Sequence, residues 1–213
     1  MSSKPATNSG VSDMQARELD IPGAWEITPQ LHSDSRGLFF EWLTDRGLTG
    51  FAGHRLDVRQ ANCSVSAAGV LRGLHFAQLP PSQAKYVTCL SGSVFDVVVD
   101  IRVGSPTFGR WDAVVLDDRS RRSVYLSEGL AHGFLALQDN SMVMYLCSAE
   151  YNPQCEHTIA ATDPALAIDW PSELELVISD RDAAAPTLDE VRAAGLLPTW
   201  KETQAFIHGL SDT

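Results

Sequence analysis

Lys85-Tyr-Val-Thr-Cys-Leu-Ser-Gly-Ser-Val-Phe-Asp-Val-Val-Val-Asp-Ile101 decides the fold class. In its second half Phe95, Val97, Val99 and Ile101 fall on one face and Asp96, Val98 and Asp100 on the other, a period of two that predicts a strand. Ser91-Gly92-Ser93 separates it from the strand-like Lys85–Leu90, and a glycine free to take positive φ predicts a hairpin there. Outward from this stretch, further strands are expected at Gly37–Trp42, Arg59–Ser64, Ala113–Leu116, Ser123–Leu126, His132–Leu137 and Met142–Ser148. Gly69, Gly73, Pro80-Pro81, Gly104, Pro106, Gly109, Gly129 and Pro153 punctuate them. Many short strands without intervening helical periods predict an all-β sandwich or jelly roll.

Helices are expected only late. Thr187-Leu-Asp-Glu190 is a capping box opening a short helix that Gly195 can close, and Trp200, Thr203, Ile207 and Leu210 form one stripe of a second. Residues 1–13 have no apolar h-region and read as a disordered tail rather than a signal peptide, with Met14 an alternative start. Residues 14–213 are then a single domain, including the C-terminal helices from about 187.

The formal net charge of -11 argues against a nucleic-acid partner, which calls for a basic stripe. A few arginines in a cleft can still reverse the field for a small anion. No apolar run approaches the ~20 residues that cross a bilayer. Cys63, Cys89, Cys147 and Cys155 show no C-x-x-C spacing and read as buried free thiols of a cytoplasmic protein.

Among residues suited to chemistry, His75 follows a glycine-relieved strand and precedes a Pro-rich turn, which predicts a place at a rim. Lys85 heads the next strand after a loop that folds it back toward His75. A base beside a fixed ammonium suits proton removal α to a carbonyl, where the enolate oxygen needs a cation. A satisfied core histidine and an edge-strand lysine are the structural alternatives. His132 enters its strand from a turn, able either to bind a phosphate or sugar or to cap the turn. Tyr145 alternates with Val143 and Cys147 and serves as a core aromatic or a proton donor; Tyr151 shares its face if the strand continues. Asp182, in a polar loop, can orient an imidazole and stabilise its charged form. A metal site is poorly supported: there is no H-x-H, and His75, His132 and a Glu lack ligand spacing.

Taken in order and spacing, Asp34-Ser-Arg-Gly-Leu-Phe-Phe-Glu41, Gln60-Ala-Asn-Cys-Ser-Val-Ser66, Gly69-Val-Leu-Arg-Gly-Leu-His-Phe76, Gln83-Ala-Lys85, Val97-Val-Val-Asp-Ile-Arg102, Gly104-Ser-Pro-Thr-Phe-Gly109, Glu128-Gly-Leu-Ala-His-Gly-Phe134 and Asp180-Arg-Asp-Ala-Ala-Ala-Pro186 resemble the dTDP-4-dehydrorhamnose 3,5-epimerase family, over about Ala16 to Trp200. The resemblance implies a cupin-type jelly roll (a double-stranded β-helix), a homodimer, no metal or cofactor, and a dTDP-linked 4-keto-6-deoxy sugar as substrate. It implies His75 as base, Asp182 orienting it, Lys85 stabilising the 4-enolate and Tyr145 as the acid on the opposite face. It places Arg36, Glu41, Gln60, Asn62, Arg72, His132, Glu156 and Arg181 at substrate-binding positions, and Tyr151 against the thymine. Many relatives carry a basic residue just after the equivalent of Tyr145; here Leu146-Cys147 follows. The competing expectations are a C3- or C5-only epimerase of antibiotic deoxysugar synthesis, a metal-dependent cupin enzyme, and a carbohydrate-binding jelly roll without catalysis.

Overall fold

The structure, a computed structural model, describes residues 14–211, so the tail expected over 1–13 lies outside the described residues. In chain order the elements are β1 (Gln15–Glu18), β2 (Ala24–Thr28), β3 (His32–Asp34), β4 (Gly37–Phe39), α1 (Asp45–Ala52), β5 (Gln60–Ser66), β6 (Val70–Ala77), β7 (Lys85–Ser91) and β8 (Ser93–Asp100). They continue with β9 (Trp111–Asp117), β10 (Ser123–Leu126), β11 (Leu130–Ala136), β12 (Ser141–Cys147), β13 (Glu156–Thr158), β14 (Val177–Ile178), α2 (Asp180–Ala183), α3 (Leu188–Ala193) and α4 (Trp200–Ser211).

Two sheets face each other. One runs β1-β2-β10-β7-β12-β5, and the other β13-β6-β11-β8-β9 with β14 parallel to β6. From β5 onward the chain passes repeatedly from sheet to sheet, which makes the domain a jelly roll. Val87, Cys89 and Val143 of the first sheet meet Val94, Val98, Leu116, Leu130 and Phe134 of the second to fill the space between them. The other face of the second sheet (Leu71, Leu74, Phe76, Val97, Val99, Ile101, Leu135) is covered by Ile159, Leu166, Leu188 and Val191. β8 is therefore buried on both faces, its alternation being apolar-out and mixed-in: Val94, Asp96, Val98 and Asp100 all point toward the interior at 1% exposure or less.

Three expectations are corrected. Gly92 does not close a hairpin: β7 pairs with β10 and β12, whereas β8 pairs with β11 and β9. The glycine (φ 77°) instead carries the chain from one sheet to the other, and a Cβ there would stand 2.9 Å from the Ser141 Cα. A helix also appears early. In α1 the Thr44 side chain caps the Gly47 N–H and Gly53 ends the helix at φ 82°, while Gly47 and Gly50 weaken its sequence signal. It covers the outer face of the first sheet, where Leu48 joins Ile27, Tyr86 and Tyr125. Finally, all four cysteines are free, but only Cys89 and Cys147 are buried; Cys63 is exposed on the outer face of β5 and Cys155 is intermediate. The late helices form as expected, with the Thr187/Glu190 capping box complete and Thr203 fully buried on the α4 stripe.

Several sequence motifs are scaffolding. Asp100 accepts from Arg102 (2.8 Å to both Nε and Nη2), Ser105 and Thr107 (2.6 Å each), tying down the Gly104–Gly109 turn. Burial alone pushes the Asp100 pKa up, but these partners hold it below its usual value. The Arg102 guanidinium then lies 4.6 Å from the Trp200 ring, fastening α4 to the barrel.

Candidate active site

A one-residue bulge in β6 aims the site. Between the pairs His132↔His75 and Phe134↔Arg72 the β6 strand advances one residue more than β11. Leu71 and Leu74, three apart, consequently both join the outer cluster, and His75 faces the cavity. The bulge requires glycine: Gly73 sits at φ 118°, and a Cβ on it would lie 2.7 Å from Gly133 Cα and 2.8 Å from the His132 carbonyl oxygen.

A cavity of about 390 Å³ opens at the end of the barrel where the interior turns polar. Gln60 and Asn62 enter from β5, Lys85 from β7, Tyr145 from β12, His75 from β6, Glu156 and His157 from β13, Arg181 from α2, and Gln83 and Tyr151 from loops. Tyr145 faces Asn62 and Cys147 faces Lys85 across adjacent strands. The loop carrying Tyr151 is pinned because the Tyr151 N–H donates to Gln60 Oε1 (2.8 Å), while Gln60 Nε2 donates to Asn62 Oδ1 (2.8 Å). β12 ends at Cys147, so Tyr151 reaches the cavity through this loop rather than by continuing the strand.

Asp182 stands behind the histidine. Its Oδ1 is 3.0 Å from His75 Nε2 and its Oδ2 accepts the Gly73 N–H at 3.3 Å. The expected loop is here one helical turn, α2, with the Ser179 hydroxyl accepting the Asp182 N–H. Burial raises the Asp182 pKa, yet the His75 hydrogen bond and charge, the Gly73 N–H and Arg181 outweigh it and leave it below the ordinary value. An ionised Asp182 accepts a hydrogen bond from the Nε2–H of His75, which leaves the lone pair of the unprotonated ring on Nδ1. Lys85 is buried, which lowers its pKa against the pull of Cys147, Glu156 and Asp96. Burial, then Cys147 and Glu156, raise the Tyr145 pKa against the effect of Arg72, so the phenol keeps its proton at neutral pH.

Not every expected residue meets in this cavity. His132 lies beneath it at 7% exposure, with Nε2 2.8 Å from Asp96 Oδ2. Arg72 is exposed beside it and donates to Ser66 Oγ at 3.2 Å. Arg36 and Glu41 stand outside it: Arg36, in the β3–β4 turn, pairs with Asp34, and the strand expected to run to Trp42 stops at Phe39. Gln83 and His157 line the cavity without having been anticipated; Gln83 stood in a quoted motif, and His157 directly follows Glu156. Both histidines of the metal reading commit Nε2 to carboxylates, and among the described residues no group of three or more His, Cys, Asp or Glu side chains is placed to hold a metal ion.

Comparison with known proteins agrees with this architecture. The chain is 76% identical over 202 residues to a dTDP-4-dehydrorhamnose 3,5-epimerase of Mycobacterium tuberculosis, covering 94% of this chain and 100% of that protein. The solved structure of the Mycobacterium tuberculosis rmlC epimerase superposes with a TM-score of 0.91, at 76% identity, covering 92% and 99% of the two chains. The Legionella pneumophila dTDP-6-deoxy-D-glucose-3,5-epimerase RmlC, solved with dTDP-4-keto-L-rhamnose, gives 0.83 at 40% identity, covering 88% and 98%. The family model for dTDP-4-dehydrorhamnose 3,5-epimerase matches residues 18–190, and the chain belongs to that family of isomerases.

Proposed function

We propose that this chain converts dTDP-4-dehydro-6-deoxy-D-glucose to dTDP-4-dehydro-L-rhamnose by inverting C3 and C5. The observation that carries the reading is the His75–Asp182 pair, at 3.0 Å, opening on the same cavity as Lys85 and Tyr145. C3 and C5 both flank the C4 ketone, so one cation beside O4 serves both proton removals. His75 Nδ1 takes the proton, Asp182 stabilises the imidazolium, and the Lys85 ammonium stabilises the enolate oxygen. Inversion needs a donor on the opposite face: Tyr145 supplies it at C5, and water at C3. Gln60, Asn62, Glu156 and Arg181 bind the substrate from the cavity wall with Arg72 beside it, and Tyr151 stacks on the thymine. The high identity to a 3,5-epimerase supports double inversion over C3- or C5-only chemistry.

The working unit is a homodimer. Leu38 and Phe39, at 42% and 67% exposure, give the β3–β4 hairpin an apolar surface suited to a second copy, and Arg36 and Glu41 on that arm serve the neighbour's cavity. Incubation with dTDP-4-dehydro-6-deoxy-D-glucose, with product stereochemistry read by NMR coupling constants, tests the reaction. Inversion at both carbons is expected; inversion at C3 alone overturns the double assignment, and no conversion overturns the function.

A further inference from the structure

Cys147, to which the resemblance gives no role, is buried at 1% exposure. Its cross-strand partners are Gln60 on β5 and Lys85 on β7, and Tyr145 precedes it by two residues on the same face of β12. All three of these neighbours line the cavity, although Cys147 itself does not. A chain of hydrogen bonds ends on its sulfur. The Tyr151 N–H donates to Gln60 Oε1 (2.8 Å), Gln60 Nε2 to Asn62 Oδ1 (2.8 Å), and Asn62 Nδ2 to Cys147 Sγ (3.8 Å, a length suited to the larger sulfur atom). The direction of the chain is forced from one end. A backbone N–H can only donate, so Gln60 turns Oε1 to Tyr151 and Nε2 to Asn62. Asn62 must then offer Oδ1 to Gln60, which leaves Nδ2 toward Cys147. Burial, with Glu156, raises the Cys147 pKa against the pull of Lys85 and Asn62, so the acceptor at neutral pH is an uncharged thiol.

We infer that Cys147 is a positioning residue of this site, the terminal acceptor that fixes how the Asn62 and Gln60 amides face the substrate. Each amide nitrogen carries two protons and the chain uses one, so each side chain keeps one N–H for an oxygen atom of the ligand. Phosphate and ketone oxygens both accept such donors. The inference rests on the proposed function for the identity of the substrate and deepens it, since Cys147 acts through Asn62 rather than from the cavity wall. An apolar side chain at this position would leave the Asn62 N–H without its acceptor and release the amide to turn over.

Two substitutions separate the acceptor from its volume. Cys147→Ala removes both, whereas Cys147→Val keeps the volume and removes the acceptor. Each is made in the full-length chain, alone and together with Asn62→Ala, and checked for folding by circular dichroism. With dTDP-4-dehydro-6-deoxy-D-glucose as substrate, both single variants should raise KM by about fivefold, as for one hydrogen bond, with kcat within about twofold of wild type. On the Asn62→Ala background the same changes should add less than about 1.5-fold, because the group they act through is gone. In isotope-labelled protein without ligand, solvent exchange of the Asn62 side-chain amide, read by NMR, should quicken in both single variants. A Cys147→Val protein with wild-type KM would reduce the residue to packing, and equal costs with and without the Asn62 side chain would show that it does not act through Asn62. Either result overturns the inference, as does unchanged exchange of the Asn62 amide. A wild type that binds and converts no dTDP-sugar would instead strike the proposed function, and the exchange measurement would still test the positioning.

Discussion

His75 Nε2 and Asp182 Oδ1 lie 3.0 Å apart although 107 positions separate the residues in the chain. Two local devices make the meeting possible. The Gly73 bulge turns His75 inward, and the Ser179 cap winds Asp182 onto a helical turn beneath it. Gly73 belongs to both, because its own N–H donates to the other oxygen of Asp182. The carboxylate is thus fixed to the very backbone that aims its histidine.

Tyr145→Phe is expected to impair inversion at C5 more than exchange at C3. The change removes the proposed donor on one face and leaves the proposed base, and the half-buried phenol keeps its proton because its pKa is raised. Separate NMR integration of C3 and C5 deuterium and of product epimers checks this. Equal losses at both carbons would make Tyr145 a binding or packing residue.

The pH–rate profile should fall on its alkaline side below the usual lysine value of 10.5. Burial lowers the Lys85 pKa, so the ammonium proposed to stabilise the enolate is lost as pH rises through that depressed value. The Tyr145 pKa is displaced the other way, upward from its ordinary value, and does not account for such a limb. Lys85→Arg, which keeps its charge, should shift the limb upward at a reduced rate. An unmoved limb in that variant assigns the titration to another group.

The arm bearing Arg36 and Glu41 predicts complementation. His75→Ala and Glu41→Ala proteins, each inactive, should on mixing form heterodimers with one intact pocket and recover about a quarter of wild-type activity. No recovery, with subunit exchange confirmed by mass spectrometry, would mean that each pocket is built from one chain.

How much was legible beforehand depended on the range of the interaction. The β8 alternation and the Thr187 capping box are local, and both formed as read. Gly92 supplied the turn expected of it, but which strand each side pairs with is settled by the opposite sheet, so the hairpin reading failed. In α1, Gly47 and Gly50 obscured a helix that is held by burial of Leu48. The pairing of His75 with Asp182 came from family resemblance, since no spacing rule spans 107 residues.

The central claim is that His75, held by Asp182, removes the protons beside the ketone. The most direct measurement is solvent-deuterium incorporation at C3 and C5 of the dTDP-linked 4-keto-6-deoxy sugar, followed by NMR in D2O for wild type, His75→Ala and Asp182→Asn. Wild type should exchange at both carbons, and each variant should slow both by roughly 10²–10⁴-fold while binding dTDP nearly as tightly. Near-normal exchange in a folded His75→Ala protein would contradict the account.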